Sequence, residues 1–522
     1  MKKKIPLTLR KIPEIDGKTL KLFSIGFFIA GIINIWLFTL KYLESKSGIV
    51  SLEMLFRHDF LQPTVLMQPY FKKPPLHNWI ILLFSGFNPK LINEFTMRLP
   101  SLIATIGTAL GIFLFSKNFL KKKPAALSSI IFLTIGTVLI EYSTKCEPDM
   151  LFTFFVFLSI STWYLFFEKG DKIKAWFLGY LFSSLSLLTK GLPGIAFFVI
   201  SAGVILIYRK QWKEILSPAH FIGAITGILP FILWILGVSP EKAFLTLWKE
   251  AANRTAVSNP LVETLKGMLL FIPKLFYALI PWSAIVIFEL YKNQKELPLK
   301  ELRKNRFSKE LTLIVAANLL IYFLSPETRV RYLIPLFPFI SILISQLLSH
   351  KTVNFKRGVG FIQFLMDILL FIGIAGTIWL TLRTDIALNA TIFFLIVSYY
   401  VYFYFMKRVD VTNFVLILGC ASLIVRGFYS SYYLSVAEFK RPNYRKVSRE
   451  IARETKGTTL FTITPDTKIG FYIEKSRQTP LPLKSYNSIP KHAFFIAENS
   501  PKGKIIKKFK LGKKTFYLCK KP

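Results

Sequence analysis

Long apolar runs recur along most of the chain, each about the length of a bilayer crossing and separated from the next by a short polar stretch. The first covers residues 22–40. Further runs fall at 99–116, 125–141, 150–167, 174–189, 192–208, 218–238, 268–290, 309–324, 333–349, 358–381, 389–405 and 412–431. This pattern predicts an all-α polytopic membrane protein with about thirteen transmembrane helices, occupying residues 1–431. At the tightest junction, Thr189-Lys190-Gly191-Leu192-Pro193-Gly194, the succession of Lys, Gly and Pro predicts a true break between two helices. Residues 41–98 interrupt the series as a first outer loop, and pieces of it such as 50–56 have the amphipathic pattern of interfacial segments. Beyond residue 431 the hydropathy drops. A helical period over 444–454 and strand-like stretches at 459–464, 469–473, 493–497 and 515–519 predict a small soluble α/β domain over 432–522.

Charge orients this arrangement. The chain carries 68 Lys and Arg against 29 Asp and Glu, a net charge of +39. A soluble nucleic-acid binder can share that excess, but a chain that is 52% hydrophobic and built of spanning runs does not fit that class, so no nucleic-acid partner is expected. The surplus instead falls in loops at 2–21, 117–123, 169–174, 209–213, 292–309, 351–357 and 407–408, which alternate onto one side. By the positive-inside rule that side is cytoplasmic, and contact with anionic lipid headgroups absorbs the charge. An odd number of spans then puts the N-terminus in the cytoplasm and the C-terminal domain on the outer face of the membrane. The lysine-rich start lacks a small-residue cleavage site, so the first run reads as a retained span. Cys146, Cys420 and Cys519 form neither a CxxC pair nor a disulfide framework.

With that topology the chemically interesting side chains gather outside, led by the basic, proline-stiffened segment Tyr70-Phe71-Lys72-Lys73-Pro74-Pro75-Leu76-His77-Asn78-Trp79. Glu44, Asp59, Arg98, Lys145, Glu147, Asp149, Lys190, Glu250, Arg254, Arg329, Arg331 and Tyr332 fall on the same side. Carboxylates to take a proton and cations to neutralise an oxyanion suit transfer of a group away from a phosphate. Any single Lys or Arg at a helix end is more often an interfacial anchor.

In chain order, Phe71-Lys72-Lys73-Pro74-Pro75-Leu76 with Trp79, Arg98-Leu99-Pro100-Ser101, Asp149 at the mouth of a span, Leu188-Thr189-Lys190-Gly191, Pro281-Trp282-Ser283 and Arg331-Tyr332-Leu333-Ile334-Pro335-Leu336-Phe337-Pro338 resemble the superfamily of aminoarabinose transferases and protein O-mannosyltransferases. These are GT-C glycosyltransferases, and the resemblance covers roughly residues 20–340. It implies a sugar donor carried on polyprenyl (undecaprenyl) phosphate and a lipid A, glycan or protein acceptor at the outer face. The absence of a P-loop or Rossmann glycine fingerprint agrees with a donor that is not a nucleotide sugar. Carried over position by position, Lys73, Arg254 and Tyr332 become donor-phosphate contacts, and Glu44 and Asp149 the catalytic carboxylates. Leu43 stands where the superfamily keeps a leading aspartate. Lys72 stands where its zinc-binding members keep a glutamate, so neither zinc nor another cofactor is expected. A lipid transporter or flippase, and a catalytically degenerate scaffold, are the competing classes.

Overall fold

The computed structural model describes residues 17–252, 260–292, 305–325, 329–349, 368, 411–430, 438, 441–498 and 503–522. The helix α1 (Gly17–Ile32) ends earlier than its apolar run, and residues 33–41 lead irregularly into α2 (Tyr42–Arg57). The expected first outer loop then forms a two-residue hairpin, β1 (Thr64–Val65) with β2 (Gln68–Pro69), and the short helix α3 (Leu76–Phe84). After it come α4 (Glu94–Ser116), α5 (Lys122–Leu133), α6 (Asp149–Glu168), α7 (Lys172–Lys190), α8 (Pro193–Tyr208), α9 (Pro218–Gly237), α10 (Pro240–Ala252), α11 (Pro260–Ala278) and α12 (Trp282–Lys292). The helices Arg306–Phe323, Phe337–Leu348 and Val411–Phe428 complete the described bundle.

Among the described residues α4, α6 and α9 are each long and apolar enough to cross a membrane, and no count of thirteen is established. The runs at 358–381 and 389–405 lie outside the described residues. The single span expected at 268–290 is instead α11 and α12, bent by 101°. Its break is held from the neighbouring segment: Ile280 O accepts from Gly136 N at 2.7 Å, and Ala278 O from Thr137 Oγ1 at 2.8 Å. The buried Trp282 indole donates to Thr134 Oγ1 at 3.0 Å. Those same contacts shorten the expected run 125–141, which is α5 followed by a π-helical turn over Thr137–Tyr142.

The bundle core combines large aromatics with small polar residues that let helices approach. Trp163 on α6, Trp176 on α7 and Phe198 on α8 meet within 6.2 Å of one another. Gly179 makes room for them, since a Cβ there would lie 2.4 Å from the Phe198 ring. Ser159 and Ser183 bond across α6 and α7 at 2.8 Å, the kind of small-residue contact that replaces hydrophobic drive between helices in lipid. At the far end of α6 the buried Glu310 accepts from Tyr164 and Arg209, each at 2.5 Å.

The C-terminal domain is a four-stranded sheet with two helices, Tyr444–Glu454 and Thr467–Arg477. Its strands β3 (Leu460–Thr462), β4 (Phe494–Glu498), β5 (Lys504–Leu511) and β6 (Lys514–Lys520) lie in the order β3-β4-β6-β5, with β3 parallel to β4 and the other pairs antiparallel. The stretch 469–473, expected as a strand, belongs to the helix Thr467–Arg477. Asp466 caps it by accepting from Lys468 N and Ile469 N. Ile469, Phe471, Tyr472 and Ile473 are all buried because the helix is covered on several faces, which hides its period. One of those covers is α2: a Cβ on Gly48 would come within 2.5 Å of the Phe471 ring. The segment 50–56 is therefore clasped under the C-terminal domain instead of lying free in an interface, with Val50, Leu52 and Met54 buried. Tyr472 adds a polar tie, accepting from Leu40 N at 2.9 Å and donating to Glu94 Oε1 at 2.8 Å.

Candidate functional site

Four segments converge at one end of the bundle: residues 72–75 ahead of α3, the start of α6, the end of α7, and the 3₁₀ turn Val330–Tyr332. The first is fixed from both sides. Pro74 and Pro75 are buried and restrict the backbone, Trp79 Nε1 donates to Phe60 O at 2.7 Å, and Phe71 is buried against Leu188 and Trp234. An aromatic anchored on α7 therefore carries the two lysines that follow it to the end of that helix. Lys72 and Lys73 line a cleft with Lys190, Gly191, Leu247 and Glu250, and Lys72 pairs with Glu250 at 2.9 Å.

The helix α7 ends where Lys190-Gly191-Leu192-Pro193 predicts. Gly191 has φ +88°, a conformation that disfavours any side chain, and α8 begins at Pro193. Lys190 is buried at this terminus and donates to Asp149 Oδ1 at 2.5 Å. Its ammonium also lies 5.6 Å from the Tyr332 ring centre and 5.0 Å from that of Phe152. Asp149 is the first residue of α6, where the helix dipole favours a negative charge, and Lys190, Arg331 and Lys73 all act on its carboxylate. Tyr332 stacks on Tyr322 at 6.3 Å. Arg331 Nη1 lies 3.8 Å from Glu147 Oε2.

Glu147 and Asp149 are two carboxylates on one turn, both buried. Burial and the charge of Asp149 push the Glu147 pKa up to about 7, in the range a general base needs. The two are thereby set apart, one clamped by a lysine and the other able to exchange a proton near neutrality.

Glu44 stands behind this pair and is fully committed. Its Oε1 accepts from Arg98 Nε at 2.8 Å and Cys146 N at 3.0 Å, and its Oε2 from Arg98 Nη2 at 2.9 Å and Lys41 N at 2.8 Å. Burial raises its pKa, but the Arg98 guanidinium and the backbone donors outweigh that and bring it to about 2. Arg98 Nη1 in turn donates to Ile35 O and Phe38 O. The cluster ties the segment after α1, the helices α2 and α4 and the segment before α6 together.

Arg254 lies outside the described residues. Lys73, Tyr332 and Asp149 share the cleft region, whereas Glu44 sits behind it. Lys190, Glu147 and Arg331, named in the sequence among the outer-side residues but given no role there, join them. Among the described residues no group of three or more His, Cys, Asp and Glu side chains could hold a metal ion. His77 is buried with Nε2 3.7 Å from Cys146 Sγ, and burial lowers its pKa to about 4.

Residues 72–236 match the family model described as dolichyl-phosphate-mannose-protein mannosyltransferase. An uncharacterised protein of Aquifex aeolicus is 26% identical over 412 residues, 77% of this chain and 75% of its own. The undecaprenyl phosphate-alpha-4-amino-4-deoxy-L-arabinose arabinosyl transferase of Pseudomonas aeruginosa (strain UCBPP-PA14) is 24% identical over 250 residues, so the match spans 47% of this chain and only 44% of that transferase. The crystal structure of ArnT from Cupriavidus metallidurans bound to undecaprenyl phosphate superposes with a TM-score of 0.70 at 14% identity, covering 96% of this chain and 98% of that one. The chain thus shares its fold with ArnT and its residues 72–236 with the mannosyltransferase family model, which supports the resemblance to the GT-C superfamily of aminoarabinose transferases and protein O-mannosyltransferases.

Proposed function

We propose that the chain is a membrane glycosyltransferase that moves a sugar from a polyprenyl-phosphate donor to a lipid, glycan or protein acceptor at the outer face of a bacterial inner membrane. The observation that carries this reading is the meeting of Lys73, Lys190 and Arg331 with two buried, differently tuned carboxylates at one end of the bundle. The undecaprenyl phosphate in the names of its relatives supports it.

In this reading Lys73, Lys190 and Tyr332, with Arg254, meet the phosphate of the donor. The bond between the sugar's anomeric carbon and the phosphate oxygen breaks, leaving a polyprenyl phosphate whose negative charge the cations hold. The acceptor's hydroxyl or amine forms the new bond and gives its proton to Glu147 or Asp149. Glu44 acts at one remove, as a positioning residue that holds the segment Cys146–Asp149 against α4 through Arg98. Its place in the reaction thus differs from that of a base. The second reading, a degenerate scaffold, is favoured by Leu43 at the position of the leading aspartate.

Purified protein supplied with undecaprenyl-phosphate sugars tests both. Lys73→Ala should cut donor turnover by about a hundredfold, the scale for losing one preorganised cation at a leaving oxyanion, and Lys73→Arg should recover part. Turnover by the parent that survives Lys73→Ala unchanged would remove Lys73 from the donor site, and no turnover with any donor would leave the scaffold.

A further inference from the structure

A second cavity has the Glu44–Arg98 pair in its wall. Its empty volume is about 560 Å³, mouth included. One part of its wall is apolar, formed by Ile33, Ile35, Phe38 and Ile140. The other is mainly cationic, with Lys41, Arg98, Lys145, Arg426 and Arg441 set against the two carboxylates Glu44 and Glu141. These residues come from the end of the first helix, the loop before α2, the helices α2 and α4, the segment before α6, the helix Val411–Phe428 and the C-terminal domain.

The cations are not balanced alike. Lys145 pairs with Glu141 at 2.5 Å and Arg441 with Glu438 at 3.3 Å, while Arg98 and Glu44 at the back of the cavity neutralise each other. Arg426 has no carboxylate among the described residues. It is 3% exposed and gives Nη1 to Ile140 O at 3.0 Å and Nη2 to Thr144 Oγ1 at 2.6 Å, while its buried Nε has no partner there. Lys41 at the rim likewise forms no ion pair among the described residues, and burial together with the nearby Lys145 ammonium holds its pKa below the usual lysine value. A guanidinium taken out of water without a counter-charge is destabilising unless an anion supplies one. Guanidinium and ammonium groups converging beside an apolar wall match a phosphate joined to a hydrocarbon chain.

We propose that this cavity binds the phosphate of an anionic lipid headgroup, with Arg426 and Lys41 as its principal contacts. A ligand there touches the first helix, the outer loop, the bundle and the C-terminal domain at once, so its occupancy ties that domain to the membrane-embedded part. The inference stands apart from the transfer reaction, since neither contact lines the donor cleft.

The test uses the full chain in nanodiscs of phosphatidylcholine alone or mixed with phosphatidylglycerol, with native mass spectrometry reading retained lipid and a thermal melt reading stability. The parent should retain phosphatidylglycerol in preference to phosphatidylcholine and melt higher in the mixed discs. Lys41→Gln, a change at the rim that leaves the fold intact, should weaken that retention about tenfold, as expected for one charge-assisted contact, and Arg426→Gln at least as much. Added inorganic phosphate separates the sources. If it leaves retention unchanged, the headgroup is read together with its chain. If it displaces the lipid and raises the melting temperature by itself, the phosphate alone is the ligand and the lipid assignment falls. Equal retention of both lipids by the parent, or unchanged retention in both variants, overturns the site.

Discussion

Replacing Glu44 by glutamine separates an anchor from a base. The carboxylate sits at a pKa of about 2 in place of 4.5. At 1.36 kcal/mol per unit this is a contribution of about 3 kcal/mol to stability. The sign follows from the depressed value: the contribution is fully present above about pH 4.5 and is lost as the pH falls through about 2. The same figure arises from the other partner. The Glu44→Gln variant would leave the 5% exposed Arg98 with two backbone carbonyls and no carboxylate, and breaking a buried pair on one side costs about 3–5 kcal/mol. Agreement between the two routes makes the loss measurable even in a large membrane protein.

Cys146, Cys420 and Cys519 are all buried, so a thiol-reactive fluorophore reports unfolding directly. Glu44→Gln should lower the midpoint of such a melt by several degrees at neutral pH, and the double variant Glu44→Gln with Arg98→Gln should recover part of the loss, because it no longer buries an unpaired charge. A Glu44→Gln protein that melts with the parent yet transfers no sugar would refute the anchoring argument and return Glu44 to the role of base.

Three further outcomes follow from the same geometry. Asp149→Asn strips Lys190 of its carboxylate and should reduce transfer by about a hundredfold or more, measured as donor turnover; a parental rate would place the chemistry elsewhere. Glu147 is raised to about 7, so the parental rate should climb as pH rises through 7 and the base form appears, and Glu147→Gln should abolish that limb; an unchanged profile removes Glu147 as base. Glu53 and Glu474 face each other fully buried between α2 and the C-terminal domain, and burial raises both pKa values, so the folded pair keeps a proton that the unfolded chain releases above about pH 4.5. Stability should therefore fall as pH rises beyond that point, and Glu474→Gln, which keeps an acceptor for Leu481 N, should flatten the fall in melts taken across pH.

Much of the fold was legible because its drivers are local. The break at Gly191 follows from three adjacent residues, and the boundaries of α6 and α8 fall within a few positions of their apolar runs. The failures share a cause, which is contact made by residues far away in the chain. Nothing near residue 280 announces that Ile280 O and Ala278 O will be met by Gly136 and Thr137, so the bend between α11 and α12 was hidden. The helix Thr467–Arg477 lost its amphipathic period because α2, the hairpin at Leu66 and its own sheet bury several of its faces. The strand β5 falls outside the strand-like stretches of the sequence because lysines crowd it, yet lysines are what an edge strand carries to prevent further pairing, and β5 is an edge of its sheet.

The site divides along the same line. Sequence patterns single out charged residues at helix ends, and Lys73, Asp149 and Tyr332 do converge, but a pattern is blind to which cation meets which carboxylate. That pairing decides chemistry here. Glu44 and Glu147 are both acidic, buried and near the same turn, and the sequence reading favours Glu44 because the family resemblance assigns it the catalytic role. The structure reverses their electrostatics: four donors on Glu44 stabilise its charge, while Glu147 meets one arginine at 3.8 Å and the repelling Asp149 two positions on. A carboxylate held at about 2 has little affinity for a proton at neutral pH, whereas one raised to about 7 accepts and returns it readily. Loss of the leading aspartate to Leu43 therefore need not leave the chain without a base, provided that the acceptor approaches the start of α6.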